Sequence, residues 1–328
     1  MQLPGPRAIA ALLLLPGLVY EQPMTFIATT AAGSRDDMRG LIYGCIGVLI
    51  FGLTLPLTRI AVREFDPLFV SLGRAVLAGL ASAVLLWWSG RPAPSRAQFG
   101  KLAIVAAGVV FGFPVLSTLA MRTAPAGHAA IVLALLPLAT AVASVLFAGE
   151  RPSSGFWLCG LAGSAAVLVF AAFEGAFANA GLGAADLLLA GAIVAAAIGY
   201  AQGGALSRDL GGWQVICWAL VLSLPILVAL LLSLAPNVNW QASWPAWTSF
   251  LYVAFGSQLI GFFFWNKGLA LGGVAKVGQV QLLQTFVSLA GAAAFTGESI
   301  GWREIGFAVL VGAIVAAGRR MQVARARI

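Results

Sequence analysis

Apolar residues in this chain gather into ten runs, each near the ~20 residues that a helix needs to cross hydrocarbon. They fall at 41–62, 67–88, 100–121, 125–148 and 154–173, then at 185–207, 213–234, 246–269, 274–296 and 301–318. The breaks between them are short and polar or bear Gly and Pro, as in Arg63-Glu64-Phe65-Asp66 and Gly149-Glu150-Arg151-Pro152-Ser153. Adding 148 to the first five runs reproduces the second five within a few residues, and Phe147-Ala148-Gly149-Glu150 falls on Phe295-Thr296-Gly297-Glu298. Five is odd, so the second set enters the membrane from the opposite side and the repeat is inverted. The pattern predicts an all-α membrane protein of ten transmembrane helices in two inverted five-helix repeats.

Composition agrees. The chain is 61% hydrophobic and only 9% charged, against about 25% charged for a soluble domain. Its net charge of +8 is explained by loops on the cytoplasmic side and not by nucleic acid. Of 19 Lys and Arg, setting aside Arg7 and Arg74, four (Arg59, Arg63, Arg122 and Arg303) fall outside and the remaining thirteen inside when residue 41 is approached from the cytoplasm. Both termini are therefore expected in the cytoplasm of a multi-pass inner-membrane protein. The expected divisions are an extension at 1–38, repeat one at 39–173, a linker at 174–184, repeat two at 185–318 and a basic tail at 319–328. Residues 1–37 admit three readings: a secretory signal with its apolar stretch at 8–20, an interfacial or unstructured segment, or an extension upstream of a true start at Met38.

The run Arg122-Thr123-Ala124-Pro125-Ala126-Gly127-His128 into Leu135-Leu136-Pro137, its closure on Gly149-Glu150-Arg151-Pro152-Ser153, and Phe51-Gly52 with Arg59 and Arg74 resemble the EamA-type ten-helix members of the drug/metabolite transporter superfamily. Gly199-Tyr200 before Ser207-Arg208 and Gly297-Glu298-Ser299 echo them in the second half. The resemblance implies export of small organic metabolites by alternating access. It also implies a central cavity lined by spans one to four and six to nine, with spans five and ten packed outside. The second half departs from it, with Thr285 in place of Pro137 and Ser299 in place of the Arg after Gly-Glu.

Charge inside lipid costs at least ~2.5 kcal/mol on insertion scales, which singles out Arg74, about seven residues into the second span. It reads either as a cation facing the cavity, attractive to a substrate carboxylate or phosphate, or as an Arg that bonds carbonyls or snorkels outward. Gln281, Gln284, Thr285 and Ser288 share one helical face near the middle of the ninth span. They are candidates to hydrogen-bond a polar metabolite, with helix–helix contact as the competing role. Gln258, Asn266 and Tyr200 are candidates to join them. Gly52, Pro56, Pro114 and Pro137 interrupt spans and are candidate hinges, while His128 and Lys276, 148 apart, are candidate gate residues at mirrored mouths.

No catalytic group, metal site or cofactor is expected. There is one His, Cys45, Cys159 and Cys217 lie apart in apolar runs, no span carries an acid at its middle, and no GxxxxGK[ST] phosphate loop is present. The partners expected are a small-molecule substrate and the lipid bilayer. A homodimer stays open, and so does a non-transporting membrane subunit or sensor as the alternative function.

Overall fold

Helices start and stop where the polar breaks fall. Asp66 accepts the amides of Leu68 (2.8 Å) and Phe69 (3.3 Å), Pro67 follows at the first helical position, and Gly90 at φ 60° ends the helix. This is the capping chemistry of a well-marked helix. Ser243 with Pro245, and Ser95 with Gln98, start two others. The computed structural model describes residues 22–124, 129, 132–173, 183–234, 238–296, 301–318 and 320–325, with side chains from residue 35 onward.

Among the described residues the chain forms ten helical rods. In order they are α1 (Arg35–Ala61, continuing a helix that begins at Gln22), α2 (Pro67–Ser89), α3 (Arg96–Ala120), α4 (Leu133–Ala148), α5 (Ser154–Phe173), α6 (Ala184–Leu210), α7 (Gly212–Leu234), α8 (Trp244–Gly272), α9 and α10 (Trp302–Gly318). α9 is made of Val274–Gly278, Gln279–Leu283 and Gln284–Thr296. Six of them, α1, α2, α3, α6, α7 and α8, are long and apolar enough to cross a membrane, with 22 to 29 residues each. α4 and stretches of α5 and α10 are shorter apolar helices, and α9 is broken in two places. Residues 22–34, part of the segment that admits three readings, are helical and run straight into α1.

The packing has a two-fold character. α1 lies against α8 and α9, as α6 lies against α3 and α4; α2 packs on α7 and α8, as α7 packs on α2 and α3; α4 meets α9, and α5 meets α10. Exchanging each helix for the one five places later leaves these pairings unchanged. Small residues set the closest approach: a Cβ on Gly268 of α8 would sit 2.8 Å from the Gly44 amide nitrogen of α1. Large apolar side chains such as Leu158, Leu187, Leu232 and Val309 face outward, more than half exposed. α5 and α10 stand at the periphery, joined through Phe170 and Phe307, whose rings lie 5.3 Å apart.

One end of the molecule carries a short antiparallel ladder. β1 (Glu150–Pro152), after α4, pairs with β2 (Val323–Arg325) in the C-terminal tail. The start of α1, the end of α6 and the start of α9 meet at this same end through Asp37, Arg208 and Lys276.

Candidate functional site

The middle of the molecule is built from irregular helix. α3 widens into a π-helical stretch at Ala106–Gly112, and α8 does so at Tyr252–Gly261. Shifting the first by 148 places it inside the second. α4 opens with a tight 3-10 turn at Leu133–Leu135, and α9 carries one at Gln279–Leu283, again at the repeat offset. Such stretches misalign carbonyls that a regular helix would satisfy, and they are frequent at functional sites. Gln258 Nε2 donates to the Val109 carbonyl at 3.0 Å, so the two π stretches meet side chain to backbone.

α1 breaks between Gly52 and Thr54. Pro56 has no N–H, so the carbonyl four residues earlier, that of Gly52, loses its helical donor. Ser288 Oγ of α9 supplies a replacement at 2.7 Å. Gly52 also lets α9 come close, because any Cβ there would overlap the Val287 side chain. Pro114 starts the regular helix after the π stretch of α3, and Pro137 the one after the 3-10 turn of α4.

Two small adjoining cavities lie here. The first is lined by Arg74, Tyr200, Ser257, Gln258 and Gln284 with the rings of Phe51 and Phe262. Arg74 is 2% exposed; its Nη2 donates to Ser257 Oγ at 3.2 Å, and Thr54 Oγ1 donates to the same oxygen at 2.8 Å. Its Nε has no partner, and Arg74 makes no ion pair among the described residues. Tyr200 stacks edge-on with Trp265 (5.4 Å) and tilts against Phe262 (6.0 Å), walling one side. The second cavity is lined by Gln281, Gln284, Thr285 and Ser288 with Leu133 and Leu136. Leu55 and Gln284 line both. Gln281 is 3% exposed, and neither of its amide atoms has a partner; Gln258 Oε1 is also unpaired. Each cavity has about 10 Å³ of free volume, room for about one water.

Seven of the eight candidate substrate residues thus line this pair of cavities, namely Arg74, Tyr200, Gln258, Gln281, Gln284, Thr285 and Ser288. Asn266 does not. Its amide donates to the Gly212 carbonyl at 3.2 Å and ties α8 to the start of α7. Lys276 pairs with Asp37 at 3.1 Å at one end of the molecule. His128 lies outside the described residues. Of the helices the resemblance assigns to the cavity, α7 contributes no lining residue; it packs behind α2. Thr54 and Ser257 join the site without a distinctive sequence signal of their own, beyond Ser257 standing directly before Gln258 as a polar pair inside an apolar run.

The ends are closed by polar contacts. At the β1–β2 end, Gly149 at φ 64° terminates α4 and turns Glu150 inward. Glu150, fully buried, accepts the amides of Val274 (2.9 Å) and Ala275 (2.7 Å) at the start of α9 and pairs with Arg208 Nη2 at 3.3 Å. A carboxylate there meets unsatisfied N–H groups and the positive end of the helix dipole. At the opposite end Arg59 donates to the carbonyls of Met121 and Ala124. There too Glu64 accepts the Ser243 amide at 2.7 Å and its hydroxyl, which hold the Glu64 carboxyl below the usual range, the side-chain bond contributing most.

Comparison with known proteins gives this arrangement a family. An Uncharacterized transporter YdeK of Bacillus subtilis (strain 168) is 47% identical over 282 residues, covering 86% of this chain and 97% of that protein. A Probable terminal-alkyne amino-acid exporter of Streptantibioticus cattleyicolor is 27% identical over 261 residues, covering 76% of this chain and 83% of the other. One crystal structure of a protein aligns with a TM-score of 0.61 at 18% identity over 85% of this chain and 94% of that one, a likeness of fold alone. The EamA-like transporter family model matches twice, at residues 38–172 and 183–317. With both halves matched and apolar helices throughout, this chain is a multi-pass membrane protein and belongs to the EamA-like transporter family.

Proposed function

We propose that the protein exports small carboxylate-bearing metabolites of the amino-acid class by alternating access around the central cavity pair, crossing the inner membrane ten times as two inverted five-helix units with both termini in the cytoplasm. The observation that carries this is Arg74: a buried cation with no ion pair among the described residues, sharing its cavity with the unpaired Oε1 of Gln258 and adjoining the cavity lined by the unpaired amide of Gln281. An unpaired buried charge is costly, and a substrate carboxylate would offset that cost, with hydrogen bonds to the Gln281 and Gln284 amides reading the rest of the molecule. The amino-acid exporter among its relatives supports this class.

With about 10 Å³ free in each cavity, the structure is a shut state, and binding requires the helices to part. The breaks in α1, α3, α4, α8 and α9 are where such motion is cheapest, because fewer regular hydrogen bonds have to be broken there. The contacts of Glu150, Arg208 and Lys276 at one end, and of Arg59 and Glu64 at the other, are the closures that alternate. Six helices are of spanning length, and the remaining four complete ten crossings in this reading. The excess of Lys and Arg at the β1–β2 end supports placing that end in the cytoplasm.

The test is counterflow in proteoliposomes with a panel of amino acids and simple carboxylates, comparing wild type with Arg74→Gln. Transport of a carboxylate substrate is expected in the wild type and at least a tenfold loss in the variant at equal folded yield. No counterflow across the whole panel, or equal losses of transport and folded protein in Arg74→Gln, would refute it.

A further inference from the structure

A larger hollow, about 710 Å³, opens between α1, α2, α7 and α8 and shares no lining residue with the central cavities. Its wall is aromatic, with Tyr43 from α1, Trp88 from the end of α2, Trp213 from the start of α7 and Phe263 from α8. Two exposed cations, Arg91 and Lys267, stand on it, and neither joins an ion pair among the described residues. No acidic side chain lines it. Gln214, only 8% exposed, lines the same hollow, and its side chain makes no hydrogen bond among the described residues. A side-chain amide that lines a cavity from a mostly buried residue and bonds no protein group is available to a polar ligand.

We propose that this hollow holds the headgroup of an anionic phospholipid from the cytoplasmic leaflet. The phosphate lies between Arg91 and Lys267 with the Gln214 amide donating to it, and the glycerol and upper acyl chain lie on the rings. A free anion would use the charges but not the aromatic wall. A zwitterionic lipid brings an ammonium that the two cations repel. Basic pockets between transmembrane helices on the cytoplasmic side are a recurrent way to hold such headgroups. The inference rests on the membrane placement given above, but not on the substrate or on the central site. Each cation near an anionic surface contributes about 5.4-fold, so the pair gives about a 30-fold preference.

The experiment uses the purified full chain and follows quenching of its tryptophan fluorescence by phosphatidylglycerol or phosphatidylcholine with brominated acyl chains. Phosphatidylglycerol is expected to quench at about 30-fold lower mole fraction, and Arg91→Gln/Lys267→Gln, both changes at exposed positions, to erase the difference while leaving quenching by phosphatidylcholine as it was. Trp88→Phe/Trp213→Phe should remove the phosphatidylglycerol-specific part of the signal. Equal quenching by the two lipids in the wild type, a preference that survives loss of both cations, or displacement by millimolar inorganic phosphate would overturn the proposal, the last by revealing a site for the free ion. Transport that fails while the lipid preference holds would sink the exporter reading and leave this one standing.

Discussion

Glu150 is the carboxylate whose loss should be felt most, and Glu150→Gln isolates its charge from its size. The side chain is fully buried, with one oxygen on the Val274 amide and on Arg208 and the other on the Ala275 amide. Glutamine keeps a single acceptor oxygen and turns a donor toward the second amide. Charge-assisted hydrogen bonds are about twice as strong as neutral ones, so weakening two of them costs about 2 kcal/mol. Arg208 is 27% exposed and regains water, so its share is at most about 1 kcal/mol. The total, about 2–3 kcal/mol, corresponds to about 30- to 150-fold in an equilibrium constant. Because these contacts join the end of α4, the end of α6 and the start of α9, that factor falls on opening of the β1–β2 end. The assay places a cysteine at Leu136, which lines the second cavity and is 2% exposed, in a background free of the native cysteines. Labelling by a membrane-impermeant thiol reagent is then timed in inside-out vesicles. Labelling in Glu150→Gln should be at least tenfold faster, and in Arg208→Gln faster by less, since Glu150 keeps both amides there. Unchanged labelling in Glu150→Gln, or a larger effect from Arg208→Gln, would refute the reasoning.

Two further outcomes follow from local chemistry. The hydrogen bonds from Ser243 hold the Glu64 carboxyl below its ordinary value of 4.5, so this clamp is complete above that value and is lost as pH falls through the lowered one; the difference in melting temperature between wild type and Glu64→Gln should shrink between pH 7 and pH 3, and a constant difference would exclude the assignment. Ser288→Ala strips the Gly52 carbonyl of its donor and should destabilise by about 1–3 kcal/mol, whereas in a Pro56→Ala background the restored helical N–H takes over and the cost should fall; equal costs in both backgrounds, read by denaturant titration, would show that the two residues are not coupled.

Much of the site could be read from the sequence because lipid makes polar residues conspicuous. Arg74, Gln258, Gln281 and Gln284 stand out in apolar runs, and the structure brings them around two cavities that touch. Asn266 carries the same signal yet spends its amide on the Gly212 carbonyl, a choice made by which way one helix is turned. Thr54 and Ser257 carry no such signal, because small hydroxyls occur throughout apolar helices and bond their own backbone, as Ser82 and Ser223 do here. The gate role given to Lys276 could not foresee Asp37, because that partner lies 239 residues away.

Hydropathy and spacing alone determined that the chain is helical, lies in a membrane and is written twice, since these follow from local transfer energies and from a count of residues per span. The tertiary structure decided which breaks matter. Two π stretches meet because Gln258 of α8 reaches the Val109 carbonyl of α3, Gly52 gains a donor because α9 passes beside it, and Glu150 closes an end because α9 begins there. Each of these contacts joins segments more than a hundred residues apart, and no window of sequence contains the distance between them.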